Sequence, residues 1–327
     1  MSLIGSLNSG VSALGTFSQT IQVISDNIAN VNTTGFKGSR AAYSDGFSNL
    51  LQQATPSVAP GAGSNAAIQI GSGVQLSSVT TDTAQGTLTS TGSNSDLGIT
   101  GAGFFRIRDV VNNVDYASRA GDFRLDDQGY VVNDRGFRVQ GAFDGAATYV
   151  ATSVGGTLTF TQTTTQPANS GDLRVNFGVS IGSGLTNSTG GAFTDAQVEA
   201  AAPKMKSFTV DPFGNIVVGL TNGDTFIRGQ VLLQNFTNPG ALTREGNNLY
   251  SGFTPAGPVG GTNMTIANNA PGANGLGRVQ VGTLELSNVD LSEEFSNMII
   301  TQRSFQAGSR VITIADGMLE EVVNLKR

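Results

Sequence analysis

Along the first thirty positions apolar residues recur at alternating steps of three and four: Leu3, Leu7, Val11, Leu14, Phe17, Ile21, Ile24, Ile28 and Val31. That spacing predicts a helix carrying a heptad-like seam. Ser, Gln, Asn and Thr fill its other faces almost without charge, and its Ser, Ala and Gly permit close helix neighbours. Asn30, Asn32, Thr33, Thr34 and Gly35 then stop it, because such residues compete for helical hydrogen bonds or release φ.

A second helix is predicted from Ser287 to Lys326, set off from the strand "GRVQVGTLELS" by "NVD". Leu291, Phe295, Met298, Gln302, Phe305, Ser309, Ile312, Asp316, Leu319 and Val323 repeat the three-four alternation, with polar breaks at Gln302, Ser309 and Asp316. Ile299, Ile300, Val311, Ile314 and Val322 widen its apolar arc. Asn288 or Asp290 can cap it, and Glu293 and Glu294 suit the positive end of the helix dipole. A helix so broadly apolar needs a partner in water, and the first helix is its natural mate.

Between the helices the period changes to two. Ile68, Ile70, Val74, Leu76 and Val79 predict strands; Phe47, Leu50 and Leu51 suggest a small contact, and residues 56–65 read as a linker. Short strands then alternate with turns at Gly101, Gly103, Gly121, Asp127-Gln128-Gly129 and Asp134-Arg135-Gly136, which predicts hairpins. Residues 142–202 are rich in Thr, Ser and Gly, as expected of a small inserted β domain. Strands return over 204–233 around the turns "DPFGN" and "TNGD". The Asn-Pro-Gly and Pro-Gly steps of "NFTNPGALTREGNNLYSGFTPAGPVG" argue for loop and against helix.

The expected fold class is therefore mixed and mainly β, with the terminal helices paired as an α-helical coiled-coil domain and the middle of the chain forming β domains. The expected divisions are 1–31 with 288–327, a connecting segment 32–69, a β-rich body 70–143 with 203–287, and the insertion 144–202.

Composition narrows the chemistry. The 327 residues contain no Cys and no His, which removes thiolate catalysis, disulfides and the usual nitrogen base or metal ligand. A formal charge of -6 gives no electropositive surface for nucleic acid. Asp126-Asp127-Gln128-Gly129 and Asp211-Pro212-Phe213-Gly214-Asn215 lack the alternating oxygen ligands of a calcium loop and read as turns. "LGITGAGFF" has neither the spacing nor the following helix of a phosphate loop. The adjacent pairs Glu293-Glu294 and Glu320-Glu321 do not face one another as glycosidase carboxylates must. No catalytic residue, metal ligand, cofactor or small-molecule substrate is expected. Met1 to Gly10 has no basic segment followed by an unbroken apolar run, so any export is expected to proceed without a cleaved signal peptide.

The segments "SGVSAL", "SDNIANVNTTGFKGSR", "DLGITGAGFF" and "GTLELSNVDLSEEFSNMIITQRSFQAGSRVITIADGM" together resemble the bacterial flagellar axial proteins of the rod and hook family. The resemblance covers roughly 1–140 and 203–327. It implies a non-catalytic structural subunit of the flagellum that forms a homo-oligomeric helical tube. The helix residues Leu3, Leu7, Val11, Leu14, Ile21, Ile24, Ile28, Leu291, Phe295, Met298, Phe305, Ile312 and Leu319 would form its assembly seams. Asn27, Asn30, Asn32, Gly35, Asn288, Asp290, Gln302 and Arg303 fall in the family's motifs. Within the family, "VNTTGFKGSR" and "GQVLLQNFTNPGALTREGNNLYSGF" are similar to a hook subunit; the small insertion leaves a distal rod subunit as the alternative. The implied partners are rod, hook-cap and hook-filament junction proteins and the type III export apparatus.

Overall fold

The structure is a computed structural model that describes residues 2–54, 66–143, 149–154, 157–162, 169–175, 179–181 and 201–325. The chain opens with helix α1 (Ser2–Ala29), followed by strands β1 (Ser39–Asp45), β2 (Ser48–Gln52), β3 (Ile68–Gly71) and β4 (Val74–Thr81). Next come β5 (Leu88–Ser90), β6 (Leu97–Thr100), β7 (Phe104–Asp109), β8 (Val114–Ser118), β9 (Arg124–Leu125), β10 (Val131–Val132) and β11 (Arg138–Phe143). The middle holds β12 (Tyr149–Val154), β13 (Thr157–Gln162), β14 (Asn169–Asp172), β15 (Val179–Ile181), β16 (Met205–Val210), β17 (Asn215–Leu220), β18 (Thr225–Val231) and β19 (Leu233–Gln234). The chain closes with β20 (Thr243–Gly246), β21 (Leu249–Ser251), α2 (Phe253–Ala256), α3 (Ile266–Asn269), β22 (Arg278–Val281), β23 (Thr283–Glu285) and α4 (Leu291–Asn324).

These elements fall into two compact units: residues 1–32, 37–82 and 289–327 in the first, and 33–36 with 83–288 in the second. In the first unit α1 and α4 pair antiparallel. A Cβ added at Gly10 would lie 2.8 Å from Ile312, and one at Gly308 would lie 3.5 Å from Leu14, so glycine on each helix lets the other approach closely.

The pair is not a coiled-coil domain, which corrects the expected fold class: the unit is mixed α/β. The opposite face of α1 packs on the antiparallel pair β1–β4. Thr16 Oγ1 donates to the Val74 carbonyl at 3.2 Å, the Tyr43 hydroxyl donates to Thr20 Oγ1 at 2.9 Å, and Phe17 meets Tyr43 edge-on. The apolar seam alone hid this arrangement. Hydroxyls spaced one turn apart are buried as readily as apolar groups when strand backbone, helix carbonyl or a strand side chain satisfies them. Thr16 and Thr20 are each only 5% exposed.

The second unit is built on a 12-stranded antiparallel sheet whose main path runs β16-β17-β18-β11-β7-β8-β21-β20. Its core includes Ile99, Phe105, Ile107, Val139, Leu173, Val175, Val218 and Leu233, all buried. The predicted hairpin turns form as turns: Asp126 Oδ1 accepts from the Gln128 and Tyr130 amides, and Asp211 Oδ1 from the Phe213 and Asn215 amides. These carboxylates are thus occupied in closing the chain reversals.

Arg119 and Glu285 form an ion pair at 3.1 Å, 4% and 0% exposed. Glu285 Oε1 also accepts from the Gly86 amide, and Arg119 donates to the Gly101 carbonyl and lies over the Phe104 ring. The pair therefore links chain segments far apart in sequence.

The segment expected to be loop and to exclude helix, residues 235–260, contains a 3-10 turn at Pro239–Ala241, the hairpin β20–β21 and the single turn α2. Pro255 is tolerated because it sits in the first turn of α2, where no intrahelical donor is lost. The expected linker 56–65 lies outside the described residues, as does most of the insertion 144–202. Three of its described strands form a separate sheet, β13-β12-β15, with β12 and β15 parallel, whereas β14 pairs with β11 in the 12-stranded sheet and Leu173 and Val175 enter that sheet's core.

Candidate assembly site

The site begins where α1 ends. Asn27 is 1% exposed, and its side-chain amide pairs with the Ser39 backbone as a neighbouring strand would: Nδ2 donates to the carbonyl and Oδ1 accepts from the amide, both at 2.8 Å. Its remaining N–H donates to Glu294 Oε1 at 2.8 Å. One side chain thereby ties α1 to β1 and to the first turn of α4. Burial raises the Glu294 carboxyl above its usual range; Glu293 adds to this, while the Asn27 hydrogen bond and Arg40 oppose it.

The other motif residues have local tasks. Asn30 Nδ2 donates to the Asp26 carbonyl and carboxylate, closing the last turn of α1, and Asn32 is exposed. Asp290 is the cap of α4, with Oδ1 accepting from the Ser292 and Glu293 amides, while Asn288 Nδ2 donates to the Ala84 carbonyl. Gln302 and Arg303 are exposed on α4, and Arg303 donates to Gln306 at 3.3 Å. Gly35 is buried in the second unit at φ +69°, and a Cβ there would lie 2.5 Å from the Ala120 nitrogen. Only glycine fits.

The structure divides the predicted seam. On α1, Ile24 is buried, Leu7, Leu14, Ile21 and Ile28 are half-buried, and Val11 is 60% exposed. Leu3 is among the residues whose side chains are outside the described set. On α4 the fully buried residues are Thr301, Gly308 and Ala315, one heptad apart, with Met298, Ile312 and Leu319 half-buried beside them. Leu291, Phe295 and Phe305 are exposed. The inward ridge passes through the small residue just before each polar break at Gln302, Ser309 and Asp316, a phase that apolar spacing alone did not reveal.

Much apolar surface of the first unit therefore stays open. Ile299, Ile300, Val311, Ile314, Met318, Val322 and Val323 project from α4, Leu50, Leu51, Ile68 and Ile70 from the two-stranded β2–β3 pair, and Phe47 from the chain just before it. An isolated pair of strands is marginal in water. Exposed apolar surface on this scale marks an interaction site. Among the described residues no group of three or more metal-holding side chains occurs.

A closed β body joined to an open helical unit defines the class: a structural protein completed by association. Three family signatures match in chain order: "Flagella basal body rod protein" over residues 7–37, "Flagellar hook protein FlgE/F/G D1 domain" over 98–218, and "Flagellar basal body rod FlgEFG protein C-terminal" over 280–325. The chain is 33% identical over 325 residues to the flagellar basal-body rod protein FlgG of Bacillus subtilis, covering 99% of this chain and 100% of that one. It is 30% identical over 321 residues to FlgG of Caulobacter vibrioides, with 98% of each chain covered. Similarity to the flagellar hook protein FlgE of Treponema pallidum is 27% over 474 positions, covering 99% of this chain and 100% of the relative. The chain belongs to the flagellar rod and hook protein family. It is an axial structural protein of the flagellum rather than an enzyme.

Proposed function

We propose that the chain is the repeating subunit of the flagellar hook, a helical tube that joins rod to filament, transmits torque and bends as a universal joint. One observation carries the self-assembly: the first unit leaves apolar faces uncovered while the second closes its own core. Neighbouring copies cover those faces, and the non-identical patches propagate as an open helix. The paired helices form the inner layer of the tube, the 12-stranded body its wall, and the insertion over 144–202 its outer projection. The chain passes the type III export apparatus unfolded, and its helices order when neighbours arrive. Rod, hook-cap and hook-filament junction proteins are its partners at the tube's ends and during growth.

Hook relatives from Treponema pallidum and Rhizobium meliloti, which align over 99–100% of this chain, support this reading. A second reading, a distal rod subunit, is favoured by the alignment lengths. The Bacillus subtilis rod protein aligns over 325 positions, whereas the two hook relatives need 474 and 428 and are therefore longer than this chain. Electron microscopy of cells bearing an epitope inserted between residues 182 and 200 decides the matter. Label along a curved external segment is expected for the hook; label confined to a straight segment within the envelope would establish the rod reading, and label away from the flagellar axis would overturn both.

A further inference from the structure

Apart from the ridge against α1, helix α4 carries two apolar patches that nothing among the described residues covers. The upper patch is Leu291, Phe295 and Ile299, at steps of one turn and 41%, 47% and 58% exposed. The lower is Val311, Ile314, Met318 and Val322, 43%, 60%, 46% and 56% exposed. The 3.6-residue period sets them on opposite flanks of the Thr301–Gly308–Ala315 ridge. Exposed Gln302, Arg303, Gln306, Ser309 and Arg310 end the upper patch, while Ile300, 63% exposed, continues the flank of the lower patch towards the start of α4.

Patches on flanks facing different ways cannot meet within one molecule, nor can one straight helix-to-helix contact use both. Each must find a different neighbour, which describes a heterologous, head-to-tail contact that does not close. Charge fixes the register. Arg303 borders the upper patch beside Ile299, Glu321 borders the lower patch beside Met318 and Val322, and both side chains are exposed. Sliding one parallel α4 past another by about 18 residues, roughly 27 Å at the helical rise, levels the lower patch with the upper and sets Glu321 opposite Arg303.

We infer that the lower patch of α4 docks on the upper patch of α4 in a second copy of this chain, parallel and staggered, with Glu321 of one copy facing Arg303 of the next. The contact rests on the axial-polymer reading above and specifies which surfaces meet.

The natural absence of cysteine makes disulfide trapping clean. Polymers of the full chain carrying both Ile299→Cys and Met318→Cys are expected, on mild oxidation, to give a denaturing-gel ladder of dimers, trimers and longer species. Either single variant should stay monomeric. Dimers from Met318→Cys alone would show a two-fold contact and overturn the inference. Tubes of normal width with no ladder from the double variant would overturn it too, while leaving the axial reading intact. If the wild-type chain builds no tubes, the axial reading fails and this contact with it. A second test needs no cysteine: Glu321→Arg should slow polymerisation about fivefold or more, and adding Arg303→Glu in the same chain should restore most of the rate. A double variant no faster than the single would contradict the pairing.

Discussion

The two units bury their apolar residues to opposite degrees. Among the described residues of the second, nearly every large apolar strand position on the core face is closed off, from Leu97 through Val279. Among the described residues of the first, only Ile24 and Ala315 are buried apolar residues, while most of α4 and the β2–β3 pair present theirs to solvent. The same chain thus contains a body that is complete by itself and a unit that is not. The first unit is held by satisfied polar contacts at Thr16, Thr20 and Asn27 more than by apolar burial. Such contacts set geometry at modest net stability, which suits the late ordering proposed for this unit.

That contrast can be broken at several points. The largest expected effect is in the closed body: Glu285→Ala leaves Arg119 buried and unpaired, and should lower the stability of the second unit by about 3–5 kcal/mol. Urea unfolding of the isolated chain measures it, and a loss below about 1 kcal/mol would show that the pair is not a structural link.

Next, Asn27→Asp replaces the donor to Ser39 and Glu294 with an acceptor and should weaken the first unit by about 2–3 kcal/mol. Amide exchange over α1 and β1 should accelerate while the 12-stranded sheet is unaffected; equal change in both would deny the units their independence. A wedge at Gly10→Val, against Ile312, should cost about 1–3 kcal/mol in the same region.

Ile314→Asp sharpens the comparison from the other side. The residue is 60% exposed, so the isolated chain should change by no more than about 0.5 kcal/mol. Polymer yield should nonetheless collapse, because association would bury an unpaired carboxylate. Sedimentation of normal polymer from this variant would contradict the role given to α4.

The smallest effect concerns pH. The folded pKa of Glu294 is raised, so its contribution is fully present below the ordinary carboxylate range and is lost as pH rises through the raised value. Glu294→Gln should flatten this dependence and slightly favour helix pairing at neutral pH. A melting-temperature series across the acid range checks it; an unchanged slope would count against the burial of this carboxyl.

Periodicity, together with turn residues, made the helices, most strands and the turns at Asp126–Gly129 and Asp211–Asn215 legible, because each is specified by local chemistry. It could not show that α1 has two buried faces, since Ser12, Thr16 and Thr20 look solvent-facing until strands supply their partners. It also misplaced the ridge of α4. Large residues drew the seam to Phe295 and Phe305, whereas Thr301, Gly308 and Ala315 face inward because their small size lets the helices approach. The role of Asn27 had a readable signal, a polar residue on the inward side just before a chain reversal. Its partners 12 and 267 residues away did not.

Hydrogen exchange, compared between the isolated chain and its polymer, tests most directly whether neighbours complete the first unit. In the isolated chain the amides of α4 should exchange far faster than those of β7 and β11, and in the polymer they should be protected to a similar level. Protection of α4 equal to that of the sheet before assembly, with no further gain afterwards, would contradict the account.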